Sequence, residues 1–92
     1  MKYYKIHMVV ISQNKDILIS LDTHMLWMEE SKNHTGETKW QFRVKTPYYG
    51  CVDTLLASYS SEEKAREVMR ELISYCESSD TVFEFPPDGD IQ

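Results

Sequence analysis

The stretch Ser60-Ser61-Glu62-Glu63-Lys64-Ala65-Arg66-Glu67-Val68-Met69-Arg70-Glu71-Leu72-Ile73-Ser74-Tyr75-Cys76 decides the fold class. Ala65, Val68, Met69, Leu72, Ile73 and Cys76 fall at i, i+3, i+4, i+7, i+8 and i+11, which gathers them into one apolar stripe on an α-helix. The opposite side carries Glu62, Arg66, Glu67, Arg70, Glu71 and Ser74, with Glu62 and Arg66 spaced as a favourable i,i+4 pair. Ser60 and Glu63 have the spacing of a capping box, in which the Ser60 hydroxyl accepts from the amide of residue 63 and Glu63 reaches back. Ser78-Ser79-Asp80 ends the helix near residue 77. A helix with one greasy side needs a layer to lie on.

The chain before the helix supplies that layer. Residues 39–45 alternate Trp40, Phe42 and Val44 with Lys39, Gln41, Arg43 and Lys45, the period of a strand with one buried face. Upstream, 6–12 and 17–21 are β-rich runs separated by the polar turn Gln13-Asn14-Lys15-Asp16. A third run, 24–30, holds Met25, Leu26, Trp27 and Met28, and the polar residues 31–38 with Gly36 form an exposed hairpin loop. Asp22-Thr23 reads equally as a tight hairpin or as a bend in one long strand. Pro47-Tyr48-Tyr49-Gly50 is a turn leading into a strand over 51–59. Residues 81–85 form a short edge strand with Phe83 and Phe85 on one face, stopped by Pro86-Pro87. Connections this short make neighbouring strands antiparallel. The sequence therefore predicts an α+β fold: an antiparallel meander of about five strands, packed by one C-terminal amphipathic helix. Residues 1–92 make a single domain, ordered over about 4–86, with a frayed acidic tail over 87–92.

Composition agrees with a globular chain, at 41% hydrophobic, 27% charged and 12% aromatic residues. Trp27, Trp40, Phe42, Phe83 and Phe85 are the candidates for a core. All ten Lys and Arg residues lie within 1–76, balanced there by ten acids, so the net charge of −5 belongs to Glu77, Asp80, Glu84, Asp88 and Asp90. Binding to a nucleic-acid backbone relies on Lys and Arg, so direct nucleic-acid binding is not expected. The acidic segment suits a basic protein surface instead. Met1-Lys2-Tyr3-Tyr4-Lys5-Ile6-His7 lacks the ~7–15-residue apolar stretch of a signal peptide, and no run approaches the ~20 apolar residues of a membrane span. Cys51 and Cys76 set no disulfide framework. The expected location is the cytoplasm, without membrane contact and with both thiols reduced.

Chemistry is hard to find. His7, His24 and His34 sit on separate elements, and neither a C-x-x-C nor an H-x-x-x-H pair occurs, so no metal site is expected. Cys76 belongs to the helix stripe, where a thiol behaves as a small hydrophobe. There is no G-x-S-x-G elbow, and three glycines do not make a phosphate-cradling loop. Glu29 and Glu30 are strand neighbours that point to opposite faces. Neither an enzyme nor a cofactor is expected. What remains is surface: the outward row Lys39, Gln41, Arg43 and Lys45, which becomes a basic patch if an adjacent strand adds polar groups. Arg66 and Arg70 lie one turn apart on the helix, and Tyr48 and Tyr49 sit at a turn tip.

Three stretches carry a resemblance. Ile11-Ser12-Gln13, then Tyr59-Ser60-Ser61-Glu62-Glu63-Lys64-Ala65 with Val68-Met69, then Val82-Phe83-Glu84-Phe85-Pro86 to Asp88, resemble small uncharacterised proteins of phages and prophages of Gram-positive bacteria. The likeness covers both ends of the chain, and residues 24–50 are not distinctive. It implies context and carries over no functional residue. Small phage accessory proteins commonly antagonise host defences by binding, so the resemblance implies a non-catalytic protein that binds a bacterial defence protein or sequesters its nucleotide messenger. The second mode would use a homo-oligomer, with Arg43 and Lys45 lining the site. The alternative is a regulatory or structural accessory of the phage, unrelated to defence.

Overall fold

A computed structural model describes residues 8–45, 53–77 and 82–89. Among the described residues, six strands and one α-helix follow in the order β1 (Val9–Ile11), β2 (Leu18–Ser20), β3 (Met25–Lys32), β4 (Thr38–Lys45), β5 (Thr54–Tyr59), α1 (Glu62–Glu77) and β6 (Val82–Glu84). The α+β class, the antiparallel pairing of chain neighbours and the helix near the C-terminus are as the sequence predicts. The single five-stranded meander is not. The strands form two three-stranded sheets, ordered β2-β1-β6 and β3-β4-β5.

Two features split the meander. A 3-10 turn at Leu21–Thr23 hands the chain from β2 in one sheet to β3 in the other. Asp22-Thr23 is thus neither a hairpin within one sheet nor a bend in one strand. The Ser20 hydroxyl donates to the Asp22 carboxylate there, and His24 Nδ1 lies 2.9 Å from the Ser20 carbonyl. The second feature is β6, which returns from the far end of the chain to pair in parallel with β1, Val10 opposite Phe83. The other side of β1 pairs antiparallel with β2. Short connections dictate antiparallel neighbours only where the strands are consecutive.

The two hairpin turns among the described residues, β1–β2 and β3–β4, use left-handed backbone. In β3–β4, the Asn33 side chain accepts from the Thr35 amide, the Thr35 hydroxyl and the Glu37 amide, while Gly36 adopts φ 87°. In β1–β2, Lys15 takes φ 63° and its amide donates to the Ser12 carbonyl. Ser12 is buried, and its hydroxyl donates to Asp16 and accepts from the amides of Asp16 and Ile17.

The core lies where both sheets meet the helix. Val10 and Phe83 from one sheet, Phe42, Val44, Leu56, Ala57 and Tyr59 from the other, and Ala65, Val68 and Leu72 of α1 are all buried. Phe42 packs edge-on against Tyr59 (centroids 5.8 Å apart) and tilted against Phe85 (5.0 Å), and Phe83 meets Phe85 edge-on at 5.2 Å. Aromatic pairs in these arrangements stabilise by ~0.5–1.5 kcal/mol beyond their burial. Leu56 and Ala57 are both buried because a bulge between Phe42 and Arg43 gives β5 an extra residue. Trp40 packs on the rim of this core, whereas Trp27 lies on the opposite face of its sheet, beside Arg43.

The helix differs in two details from the sequence reading. Its cap is Ser61, whose hydroxyl accepts from the Lys64 amide at 3.0 Å. The third helical position is then Lys64, which cannot complete a capping box. Ser60 has another task, since its amide and hydroxyl both donate to Asp88 Oδ1. Asp88, assigned to a frayed tail by its sequence, is therefore held. Ile73 is 50% exposed rather than part of the buried stripe, because it sits ~100° around the helix from Leu72.

One corner ties the elements together. The Gln13 amide donates to the Leu56 carbonyl at 2.8 Å, Gln13 Oε1 accepts from the Ser58 amide at 3.0 Å, and Gln13 Nε2 donates to the Pro86 carbonyl at 3.2 Å. The Tyr59 hydroxyl donates to the same carbonyl at 2.7 Å. Residues from the β1–β2 turn, the end of β5 and the segment after β6 thus meet in one hydrogen-bonded joint. That joint secures the two sheets to each other and to the start of α1.

Candidate functional site

The outward row foreseen on β4 is in place. Phe42 and Val44 point into the core, so alternation turns Lys39, Gln41, Arg43 and Lys45 to the other face. The helix lies on the core side, against β4, β5 and β6. No described element covers the outward face.

Register decides what stands beside the row. The β3–β4 hairpin places Met25 opposite Lys45, Trp27 opposite Arg43, Glu29 opposite Gln41 and Ser31 opposite Lys39. On the other side Leu55 faces Arg43. Ser58 faces Gln41 on that side, so the neighbours divide evenly between apolar Met25, Trp27 and Leu55, with Met25 53% and Leu55 41% exposed, and polar Glu29, Ser31 and Ser58. The polar groups added by the adjacent strands are one acid and two serines, beside three apolar side chains, so the row does not become a purely basic patch. Instead, an aromatic and aliphatic surface is studded with three cations and one carboxylate, Glu29.

The side chains on this face hold one another. Trp27 Nε1 donates to Glu29 Oε1 at 2.7 Å. Glu29 Oε2 lies 3.6 Å from Arg43 Nε, and Arg43 donates through Nε and Nη2 to Gln41 Oε1 at 3.3 and 3.2 Å. Lys45 Nζ sits 5.7 Å from the centre of the Trp27 ring, within range of a cation–π contact. The result is a linked row Lys45–Trp27–Glu29–Arg43–Gln41 crossing two strands.

The other candidates lie elsewhere. Arg66 donates through Nε and Nη2 to Glu62 Oε2, at 2.9 and 2.6 Å, as its spacing implies. Arg66 and Arg70 are exposed on the outer side of α1, with the core between them and the β4 row, so the two sets of cations do not converge. Tyr48, Tyr49 and Cys51 fall outside the described residues, as does His7. Trp27, Glu29, Met25 and Leu55 join the site although sequence reasoning did not place them there. The identity of Trp27 suggests the core, but the register places it on the outward face. The signal that locates it is parity, since counting back from the 33–37 loop pairs residue 27 with outward-facing Arg43.

Chemical groups are sparse around this face. Burial, with help from Glu77, pushes the Cys76 thiol above its ordinary value, which keeps it protonated and a poor nucleophile. Burial also pushes the Tyr59 hydroxyl up, reinforced by Asp88 and Glu71. Among the described residues, no group of three or more His, Cys, Asp or Glu side chains could hold a metal ion, and no helix is long and apolar enough to cross a membrane. A shallow, open depression lies on the other sheet, lined by Ile11, Lys15, Asp16, Ile17, Leu18 and Glu84, with Lys15 and Glu84 3.7 Å apart. No protein-family model, curated protein or solved structure matches the chain.

Proposed function

We propose that this chain is a non-catalytic binding protein of phage or prophage type. It antagonises a bacterial anti-phage defence by docking on a defence protein in the host cytoplasm, with the outer face of β3-β4-β5 as its contact surface. The observation that carries the surface is the Trp27 indole, oriented by Glu29 and flanked by Lys45 and Arg43 on a face that no described element covers. Trp and Arg dominate the binding energy of protein interfaces. Side chains already held in place lose less freedom on docking.

Charge narrows the partner. Lys39, Arg43 and Lys45 outnumber Glu29 on this face, although the whole chain carries −5. A partner patch with an apolar centre and acidic rim is complementary to it. A protein surface suits the face better than a nucleotide messenger, because small-molecule sites are concave and the described depression is on the other sheet. The phage context and the defence target rest on the resemblance of the two chain ends to small phage proteins.

The test compares phages that differ only in this gene, plated on hosts with and without individual defence systems. The gene should raise plating on at least one defended host and have no effect on undefended ones. A requirement on undefended hosts would select the accessory role instead, and equal plating everywhere would sink the reading.

A further inference from the structure

The two edges of the β3-β4-β5 sheet are finished differently. On the β5 edge, the outward Leu56 carbonyl and Ser58 amide are both engaged by Gln13. The β1–β2 turn closes that edge. β3 forms the other edge and runs for 8 residues.

The backbone groups on the free side of β3 can be named. Asn33 donates its amide to the Glu37 carbonyl at 3.0 Å, which makes 33–37 a hydrogen-bonded pair. Hydrogen-bonded and non-hydrogen-bonded pairs alternate along an antiparallel ladder, and the register continues without a break to Met25 opposite Lys45. The backbones of Met25, Trp27, Glu29 and Ser31 therefore turn toward β4. Those of Leu26, Met28, Glu30 and Lys32 turn away. The same rule applied to β5 turns Leu56 and Ser58 outward, where Gln13 meets them. No other described segment pairs with the outward side of β3.

We infer that the β3 edge receives an extended strand of the partner protein, apolar where it passes residues 25–28 and basic where it passes Glu30. Unpaired strand edges are templates for another strand, with main-chain hydrogen bonds giving affinity and alternate side chains giving selectivity. Over 25–28 the edge is apolar on both faces of the sheet, with Met25 and Trp27 on the outward face and Leu26 and Met28 packed on the rim of the core. Glu29 is already engaged by Trp27 and Arg43. Glu30 is exposed and forms no ion pair among the described residues, so it is the carboxylate open to a partner's Lys or Arg. This mode of docking rests on the reading of β3-β4-β5 as the contact surface, and it adds the backbone edge to that face.

The probe is a capped octapeptide, alternating Lys and Thr in its N-terminal half and Val and Thr in its C-terminal half, to run antiparallel to β3. In the dilute free chain the amides of Met28 and Glu30 should exchange with solvent fast and those of Trp27 and Glu29 slowly. Saturating peptide should slow Met28 and Glu30 by about tenfold or more. Replacing its lysines with glutamates should weaken binding about threefold. Glu30→Pro removes an outward amide without touching the β4 ladder, a tolerated position for proline. That variant should keep the fold and lose the peptide, while Arg66→Ala binds it unchanged.

Undiminished binding by a folded Glu30→Pro variant overturns strand addition. Slow exchange at Met28 and Glu30 in the dilute free chain overturns it too, because the chain's own residues then cover the edge. Protection that grows with protein concentration alone replaces the partner with a second copy. Loss of phage protection in Trp27→Ala with an inert edge keeps the contact surface and discards the strand. Peptide binding without any effect of Trp27→Ala on protection does the reverse.

Discussion

Replacing Gln13 with alanine removes the side chain that joins β5 to the segment after β6. Two hydrogen bonds go, from the Ser58 amide to Oε1 and from Nε2 to the Pro86 carbonyl. The bond from the Gln13 amide to Leu56 is backbone and survives. Pro86 also keeps its bond from the Tyr59 hydroxyl, so the main cost is the Ser58 amide left without an acceptor in a partly buried place. An unsatisfied donor costs ~1–3 kcal/mol, and the middle of that range, about 2 kcal/mol, is the expected loss. For a domain of this size each kcal/mol moves the midpoint by ~4–8 °C, so Tm should fall by about 8–16 °C. Urea unfolding should show a lower midpoint at unchanged slope. Gln13→Glu is the sharper variant. Its carboxylate still accepts from Ser58 but opposes the Pro86 carbonyl, which raises the folded pKa above the unfolded ~4.3. Its deficit against the parent should be smallest below that pH and grow as pH rises through the folded value. A Gln13→Ala loss under about 0.5 kcal/mol, within the range of ordinary surface changes, would refute the reasoning.

Three further expectations concern the frame. Burial, Asp88 and Glu71 raise the Tyr59 pKa in the folded chain, so its stabilising contribution is complete below the unfolded value of ~10 and is lost as pH climbs above it. Tyr59→Phe should cost about 1 kcal/mol at neutral pH and flatten the alkaline decline seen by circular dichroism. Ser61→Ala should cost about 1 kcal/mol through loss of the helix cap, measured by urea unfolding, and stabilities of Ser61→Ala and parent that agree would return the cap to Ser60. Lys15→Gly relieves a left-handed residue and should stabilise by ~0.5–1 kcal/mol, and Gly36→Ala should cost about 1 kcal/mol. Thermal midpoints of the two variants should move in opposite directions.

The parts legible in the sequence are those written in local periodicity. The stripe from Ala65 to Leu72 and the alternation of Trp40, Phe42 and Val44 fix an element and its buried face without distant information. The outward Lys39–Lys45 row followed from the same alternation. The second sheet did not, because β1 and β6 pair across nearly the whole chain and each is 3 residues long, too short to show a period. The 3-10 turn at Leu21–Thr23 has no glycine or proline to mark it. Ser60 and Ser61 are chemically equal candidates for one cap, and only Asp88, arriving from the far end, separates their roles. A large indole in an apolar run suggests a core, whereas hairpin register puts Trp27 on the open face.

The central claim is that Trp27 is present for contact with another molecule and not for the fold. The direct measurement pairs the urea midpoint of Trp27→Ala with the plating, on a defended host, of phage encoding it. Stability within about 1 kcal/mol of the parent, together with lost protection, is the predicted result. A loss near the ~3–5 kcal/mol of a truncated core aromatic, or protection equal to that of the parent, would contradict it.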